Sequence, residues 1–371
     1  MTPDNRQRLR TPQGTEAFFQ EEAWRHRHLQ RMTEDHFRSW GYLPVLTPVF
    51  DYFETYRPLL NALQEERSYR FPDRKGELLM LRSDITLFLA KQAGVAPPET
   101  EGPRRLYYSD SIIRHQEEED ISSDEFFQSG AELIGQPGQD GDLEVLMLLH
   151  DLLESMKLPT WRLHLGSRAI LDAVFDGAVD SQKASALLEI RDEEGLCALF
   201  QDAGLPAPEQ RSRLLLFLGT VDEFLSESSR LVEDCQPQNH RLAEAVSQLC
   251  NLATELLTCA PSERIRIDLS EHGGQPYYTG FTVRAYVDGA NAAIASGGRY
   301  DNLLSSFGPG APAAGFSMMM RKIEPLSTFA AEADDSVFGA QGKSFAERYA
   351  NAQQQRLQGQ RVTLDSSKDS P

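Results

Sequence analysis

The chain has 371 residues, 40% of them hydrophobic and 25% charged, with a net charge of −19 and a pI near 4.9. This length suffices for one large domain with insertions or for two domains. The acidic balance argues against general nucleic-acid binding, which requires a basic surface. Because the sequence has no run of 18 apolar residues and no apolar signal core, we expect no membrane span and a cytoplasmic protein.

The cysteine pattern does not predict a metal site. The four cysteines are Cys197, Cys235, Cys250 and Cys259. None forms a Cys-x-x-Cys pair. His240 follows Cys235 closely in the sequence, but the paired cysteines of a zinc site do not accompany it. The pattern is typical of reduced cysteines in a cytoplasmic protein. We therefore predict neither a metal nor a cofactor.

The first third of the chain predicts helices and short strands. The expected elements are a helix, an apolar run, a hairpin and a second helix, over residues 16–40, 42–48, 69–81 and 85–93. Gly41 and Gly94 are expected to end the two helices. Ser83 and Asp84 are expected to cap the second one.

The remainder predicts strand clusters separated by a helical block. Two aromatic-rich strands joined by a loop are expected within 105–135. The elements expected after them are helices over 142–156, 169–175 and most of 181–260, strands over 161–165, 264–269, 281–287 and 292–296, and an apolar segment over 314–323. This order favours an α+β fold with a mainly antiparallel sheet.

The domain organisation predicted from these patterns is a core with one insertion and a tail. The core covers residues 1–325 and contains a helical insertion over about 178–260. Residues 326–371 are polar and small, so we expect a loosely attached tail, apart from a helix over 344–358.

The loop of the 105–135 hairpin is strongly acidic. From Glu117 to Glu125 it contains six acids and no Lys or Arg. The acids are Glu117, Glu118, Glu119, Asp120, Asp124 and Glu125. Like charges near a triphosphate would oppose its binding, by about 1 kcal/mol for each contact near 4 Å in water.

Seven segments in order resemble the motifs of histidyl-tRNA synthetases, which are class II aminoacyl-tRNA synthetases, over roughly residues 10–325. They are Thr11–Thr15, Gly41–Pro48 (motif 1), Leu81–Thr86, Arg105–Gly135 (motif 2), Tyr277–Gly280, Gly297–Asp301 and Gly315–Lys322 (motif 3). Each segment alone is a weak signal, and the ordered set carries the resemblance. It implies a class II synthetase-like core, with an antiparallel sheet flanked by helices.

The resemblance implies a retained histidine-binding pocket. Carboxylates and amide oxygens suit the ammonium group of histidine, and tyrosines and acids suit its imidazole. Gln128 and Glu132 are four residues apart on one strand and should share a face. Gly297 and Gly298 would let the backbone approach a ligand. The matching motif positions proposed to bind histidine are Asp84, Thr86, Gln128, Glu132, Tyr278 and Tyr300.

The groups that activate ATP are altered. Adenylate formation requires fixed cations and donors. Where the family has Arg-Gly-Leu-Asp-Tyr-Tyr, this chain has Gly273-Gly-Gln-Pro-Tyr-Tyr278, so the catalytic arginine is absent. Arg114 remains at the motif 2 position, Lys322 replaces the last motif 3 arginine beside Arg321, and Met319 would fill space that adenine needs. We predict no catalytic residue.

With no anticodon-binding domain predicted after Pro325, the chain resembles the regulatory subunit of the short-form, hetero-oligomeric ATP phosphoribosyltransferase of bacterial histidine biosynthesis. The resemblance implies a homodimer, formed through motif 1, within a hetero-oligomer with a short catalytic subunit. It also implies support of that subunit's activity and feedback inhibition, with L-histidine as the effector. Two alternatives stay open: an amino-acid ligase with a non-tRNA acceptor, and a free-standing histidine sensor.

Overall fold

The computed structural model describes residues 12, 14–95, 102–115, 124–235, 239–328 and 338–364. The chain divides into two compact units, Met1–Ala330 and Ala331–Pro371. In the described part of the chain, no helix is at once long and apolar enough to span a membrane.

Twelve strands are described in the first unit. In chain order they are β1 (Leu43–Pro44), β2 (Phe50–Tyr52), β3 (Arg70–Pro72), β4 (Leu78–Leu81), β5 (Arg104–Ile113), β6 (Glu125–Ile134), β7 (Trp161–Ser167), β8 (Leu218–Gly219), β9 (Ile265–Asp268), β10 (Phe281–Val287), β11 (Ala295–Arg299) and β12 (Ala313–Met319). Nine of them form one sheet in the order β1-β5-β6-β12-β11-β10-β7-β9-β8. Only β1–β5 and β7–β9 pair in parallel, so the predicted, mainly antiparallel α+β fold is confirmed.

Twelve α-helices are described in the same unit. They are α1 (Gln20–Ser39), α2 (Phe53–Tyr56), α3 (Ala62–Arg67), α4 (Ile85–Val95), α5 (Gln139–Ser155), α6 (Arg168–Phe175), α7 (Ser181–Glu189), α8 (Glu193–Asp202), α9 (Pro208–Leu215), α10 (Val221–Cys235), α11 (His240–Cys259) and α12 (Met320–Ile323). Short 3-10 turns cover Arg57–Leu59, Ser262–Arg264 and Leu304–Ser306.

The predicted helical insertion corresponds to α7–α11 with the short strand β8. Its helix starts follow local capping signals, because the side chains of Asp180, Asp192 and Asn239 accept hydrogen bonds from the first turns of α7, α8 and α11. Phe200 and Phe224 of these helices are fully buried in the same hydrophobic cluster as the sheet residues. The insertion is therefore part of the main core.

The α4 helix fixes one wall of the later site. The Asp84 side chain accepts a hydrogen bond from the Leu87 backbone N–H at 3.3 Å, as expected of a capping residue. The helix is buried on nearly every side, with Phe88 stacked on Tyr56 at a ring distance of 4.5 Å. The described part of this helix reaches Val95, one residue beyond the end expected at Gly94.

The predicted hairpin is present as β3 and β4, which pair antiparallel with each other, and β4 also pairs antiparallel with β2 to complete a separate three-stranded sheet. Two boundaries were wrong. The first helix begins at Gln20, because Glu16 and Phe18 contact Arg321 instead of extending the helix. The strand expected over 292–296 lies over Ala295–Arg299, because its glycines pair directly with β10 and β12.

The second unit contains β13 (Phe338–Gly339), α13 (Phe345–Leu357) and β14 (Val362–Thr363). The predicted helix is confirmed, with Ser344 and Glu347 forming a capping box. The parallel pairing of β13 with β14 was not predicted, since two-residue strands leave no periodic signal. The described residues 338–364 of this unit therefore contain two short strands and a helix, and the looseness of the tail as a whole stays a prediction.

Candidate functional site

All six residues proposed from the sequence line one small cavity on a face of the nine-stranded sheet. Its free volume is about 60 Å³. The six residues are Asp84, Thr86, Gln128, Glu132, Tyr278 and Tyr300, and each is at most 8% exposed. They come from α4, β6, the loop before β10 and the segment after β11, so the fold joins positions more than 200 residues apart.

Strand β6 supplies the floor of this cavity. Gln128 and Glu132 both face the cavity, as their spacing predicts, and are 3% and 1% exposed. On the neighbouring strand β12, Gly315 lies directly opposite Glu132. A β-carbon at Gly315 would overlap the Glu132 carboxylate, so a glycine is required there for the acid to fit.

The Glu132 carboxylate is held by hydroxyl groups rather than by a cation. Thr86 Oγ1 donates to Oε1 at 2.6 Å, and the Tyr300 hydroxyl donates to Oε2. Tyr108 lies at 3.5 Å from Oε1. Desolvation, together with the negative charge of Asp84, raises the pKa of Glu132 to about 8 against the opposing hydrogen bonds. Burial therefore favours a proton on this carboxyl group at neutral pH.

Asp84 is the second buried acid of the cavity. Burial raises its pKa, and the nearby Arg114 and the backbone N–H groups of α4 act in the opposite direction. Burial also raises the pKa of Tyr277 and Tyr278, so both phenols remain protonated donors. The cavity thus combines two carboxyl groups with neutral tyrosines.

Gln128 has an acceptor without a donor. Its Oε1 atom is buried and has no hydrogen-bond partner among the described residues. Buried polar atoms in folded proteins are almost always paired. The orphan oxygen is therefore available to accept a hydrogen bond from a ligand N–H or O–H group or from water.

Sequence reasoning missed several members of the cavity wall. The structure adds Tyr277, Gln275, Ser296 and Ser317 to the lining. Tyr277 and Gln275 belong to the same motif as Tyr278, and the available signal was that these polar side chains lie one and three positions before a proposed ligand contact. Ser296 and Ser317 carried none, because serine in a strand is common.

The role expected for Gly297 and Gly298 was wrong. Neither residue lines the cavity. A β-carbon at Gly297 would meet Phe316 at 2.7 Å, and one at Gly298 would meet the Tyr278 ring at 2.9 Å. These glycines therefore admit protein side chains and not a ligand.

A larger groove of about 370 Å³ adjoins the cavity. The two share Asp84, Arg114 and Gln275, and also Ser296, Ser317 and Met319. The basic residues that line the groove are Arg67, Arg114, Arg284 and Lys322. Cations are thus more numerous there than the sequence motifs indicated.

The position of the missing arginine could not hold a side chain. Gly273 has φ +85, and a β-carbon there would overlap the ring of Tyr278. Arg321 does not line the groove, since it pairs with Glu16 at 2.8 Å and with Glu22 at 3.3 Å and covers the Phe18 ring. The chain therefore presents no side chain at the position of the family's catalytic arginine, and Arg321, which neighbours the motif 3 position Lys322, pairs with acids that do not line the groove.

The acidic hairpin loop lies largely outside the described residues, which omit 116–123. Of its six acids only Asp124 and Glu125 are described. Asp124 accepts a hydrogen bond from the Tyr69 hydroxyl and lies 3.3 Å from His115. The effect of the remaining four acids on the groove stays a prediction.

A separate group, His164, Asp268 and Glu271, has the residue types of a metal site. Its carboxylates are already engaged, because Arg191 contacts Asp268 at 3.1 Å and Arg284 contacts Glu271 at 2.8 Å. Two guanidinium groups at this distance oppose a cation. We interpret the group as a structural ion-pair network. The four cysteines, all described, form no disulfide.

Comparison with known proteins agrees with the geometry. The histidyl-tRNA synthetase family pattern matches residues 14–323. The chain is 32% identical to an ATP phosphoribosyltransferase regulatory subunit of Symbiobacterium thermophilum, over 96% of this chain and 91% of the relative. It is also 32% identical to the protein of that name from Moorella thermoacetica, over 96% and 92% of the two chains.

A solved structure gives the same result for the fold. An ATP phosphoribosyltransferase regulatory subunit/histidyl-tRNA synthetase from Bacillus halodurans superposes with a TM-score of 0.83 at 23% identity, covering 97% of this chain and 94% of that one. The chain therefore belongs to the family of ATP phosphoribosyltransferase regulatory subunits, which has the histidyl-tRNA synthetase fold.

Proposed function

We propose that this chain is a non-catalytic regulatory subunit of ATP phosphoribosyltransferase. It assembles in the cytoplasm with a short catalytic subunit, supports its activity in the first step of histidine biosynthesis, and mediates feedback inhibition by L-histidine. The observation that carries the proposal is the complete set of cavity residues beside Gly273, where no arginine fits.

The chemistry of the cavity supports histidine as the effector. Asp84 and the orphan Gln128 oxygen suit an ammonium group, and Glu132 with Tyr278 and Tyr300 suits an imidazole. The free volume of about 60 Å³ is too small for a whole histidine, so its carboxylate would extend into the adjoining groove. Arg114 lines both spaces and is a suitable partner for that carboxylate.

An exposed apolar surface supports the proposed homodimer. It covers the motif 1 segment and the hairpin of the three-stranded sheet. Its exposed side chains are Leu43, Leu46, Val49, Phe50, Tyr52, Phe71 and Leu78. Contiguous apolar surface on a folded chain is typical of an interface. A second copy of the chain is the occupant that the motif 1 resemblance implies.

The test is an ATP phosphoribosyltransferase assay of a short catalytic subunit from the same source. It is run with and without this chain while histidine is titrated. We expect the chain to raise activity and to make it histidine-sensitive. A catalytic subunit that is equally active and equally insensitive with the chain present would contradict the proposal.

One observation favours a second candidate. The four basic residues of the groove would suit a triphosphate, which keeps open an amino-acid ligase that uses ATP and a non-tRNA acceptor. Histidine-dependent ATP–pyrophosphate exchange would support that candidate. A free-standing histidine sensor would instead bind histidine and fail to co-purify with the catalytic subunit.

A further inference from the structure

Gln275 joins the cavity to a distant part of the first unit. It lies in the loop between β9 and β10 and lines both the cavity and the groove. Its Nε2 atom lies 3.5 Å from Asp84 Oδ2, and its Oε1 atom accepts a 2.6 Å hydrogen bond from Gln64 Nε2. A single amide thus contacts a cavity acid and the start of α3.

The Gln64 side chain also holds the first turn of α3. Its Oε1 atom accepts from the Asn61 backbone N–H, and the Gln64 backbone N–H donates to Asn61 Oδ1, both at 2.9 Å. This is a capping box, which stabilises the start of the helix. Because α3 leads into β3 and the exposed Phe71, a change at Gln64 reaches the apolar surface.

The loop that carries Gln275 also carries the cavity tyrosines. It starts with Gly273 and Gly274, whose φ angles of +85 and +68 only glycine adopts readily. Tyr277 and Tyr278 follow Gln275 within three residues and line the cavity. A ligand in the cavity would therefore press on the loop that positions Gln275.

The two contacts of Gln275 differ in strength. The contact with Asp84 is beyond the usual range for an N–H···O hydrogen bond, whereas the contact with Gln64 is short. A ligand ammonium would form a shorter, charge-assisted bond to Asp84 and displace the amide. Gln275 would then keep Gln64 as its partner and lose its anchor in the cavity wall.

We propose that the Gln64–Gln275 amide pair transmits occupancy of the cavity to α3 and the three-stranded sheet. This inference rests on the proposed function and adds the route by which histidine acts. Gln275 is a positioning residue in this scheme. The synthetase motif has leucine at this position, and leucine can make neither hydrogen bond.

The test compares wild type with Gln275→Leu by hydrogen exchange of the full chain, with and without saturating histidine. In wild type we expect histidine to speed amide exchange in residues 60–70 about threefold or more, because α3 loses a restraint. In Gln275→Leu that response disappears, while histidine still binds with a Kd within about tenfold of wild type, because one lost contact is long and the other joins two neutral amides. Gln64→Leu should give the same result.

A matched control is Gln201→Leu, which changes an exposed glutamine on α8 and should respond like wild type. A second measurement uses the reconstituted complex and compares the affinity for the catalytic subunit with and without histidine. Allosteric coupling typically changes such an affinity about 5- to 150-fold, whereas in Gln275→Leu we expect a change of at most about twofold. If histidine changes amide exchange in Gln275→Leu as much as in wild type, this inference is overturned and the proposed function is not. Wild-type protein that binds no histidine overturns the proposed function as well.

Discussion

The cavity and the groove share six lining residues, yet they differ in how many of the side chains expected from the sequence motifs they keep. The cavity keeps each polar group that the sequence motifs indicated, packed around Glu132. In the groove the ring of Tyr278 occupies the space beside Gly273, and Arg321 contacts acids elsewhere. The residues expected to recognise histidine and the positions expected to activate ATP therefore lie on walls that the fold builds differently.

The largest expected effect comes from restoring the missing arginine. Gly273→Arg should destabilise the fold by about 3 kcal/mol or more, because it combines a positive φ with overlap on Tyr278. We also expect no ATP–pyrophosphate exchange. Gly76→Arg is the matched control, since Gly76 has φ +88 and open space around it, and it should cost about 1 kcal/mol. Thermal unfolding of both variants measures the difference. A Gly273→Arg protein that is as stable as wild type and catalyses ATP–pyrophosphate exchange would contradict this difference between the cavity and the groove.

The next effect concerns the pH dependence of stability. Glu132 ionises near 4.5 when unfolded and near 8 in the folded cavity, so the folded state binds the extra proton between these values. The stability that the folded state gains from this bound proton is fully present below pH 4.5 and is lost as pH rises through 8. We expect Glu132→Gln to remove this loss and to unfold at a higher temperature than wild type at pH 9. If the unfolding temperatures of the two proteins differ by the same amount at pH 5 and at pH 9, Glu132 is not a buried, protonated acid.

A third effect concerns the proposed effector. Glu132→Ala should weaken histidine inhibition of the reconstituted complex about 30-fold, since a buried ligand group left without its hydrogen-bond partner costs roughly 2 kcal/mol. Tyr278→Phe should weaken it less, by about fivefold, because it removes one hydroxyl. Both are measured as half-inhibitory concentrations. Unchanged inhibition in both variants would remove the cavity as the histidine site.

The smallest effect is expected at Arg321. Because its guanidinium pairs with exposed acids and covers Phe18, Arg321→Ala should cost at most about 1 kcal/mol of stability. Histidine inhibition should stay within about twofold of wild type, as Arg321 lines neither space. A large loss of inhibition would mean that Arg321 serves the groove after all.

Much of the fold followed from local patterns. Helices with clear periodicity and capping residues, such as α5 and α13, were predicted with small boundary errors. The six cavity residues were identified because each occupies a position in an ordered motif. The roles of the glycines were predicted less well, because a sequence does not show whether the space beside a glycine is occupied by a ligand or by a protein side chain. Gly297 and Gly298 admit Phe316 and Tyr278.

The sequence alone determined the family resemblance, the α+β class and the residues at the site, because these depend on local pattern and order along the chain. The tertiary structure decided how those residues interact. Sheet register placed Gly315 against Glu132, burial raised the pKa of that acid, and packing left the Gln128 oxygen without a donor. It also turned Arg321 away and joined Gln275 to Gln64. Such contacts link residues far apart in the chain, and only close packing in three dimensions sets them.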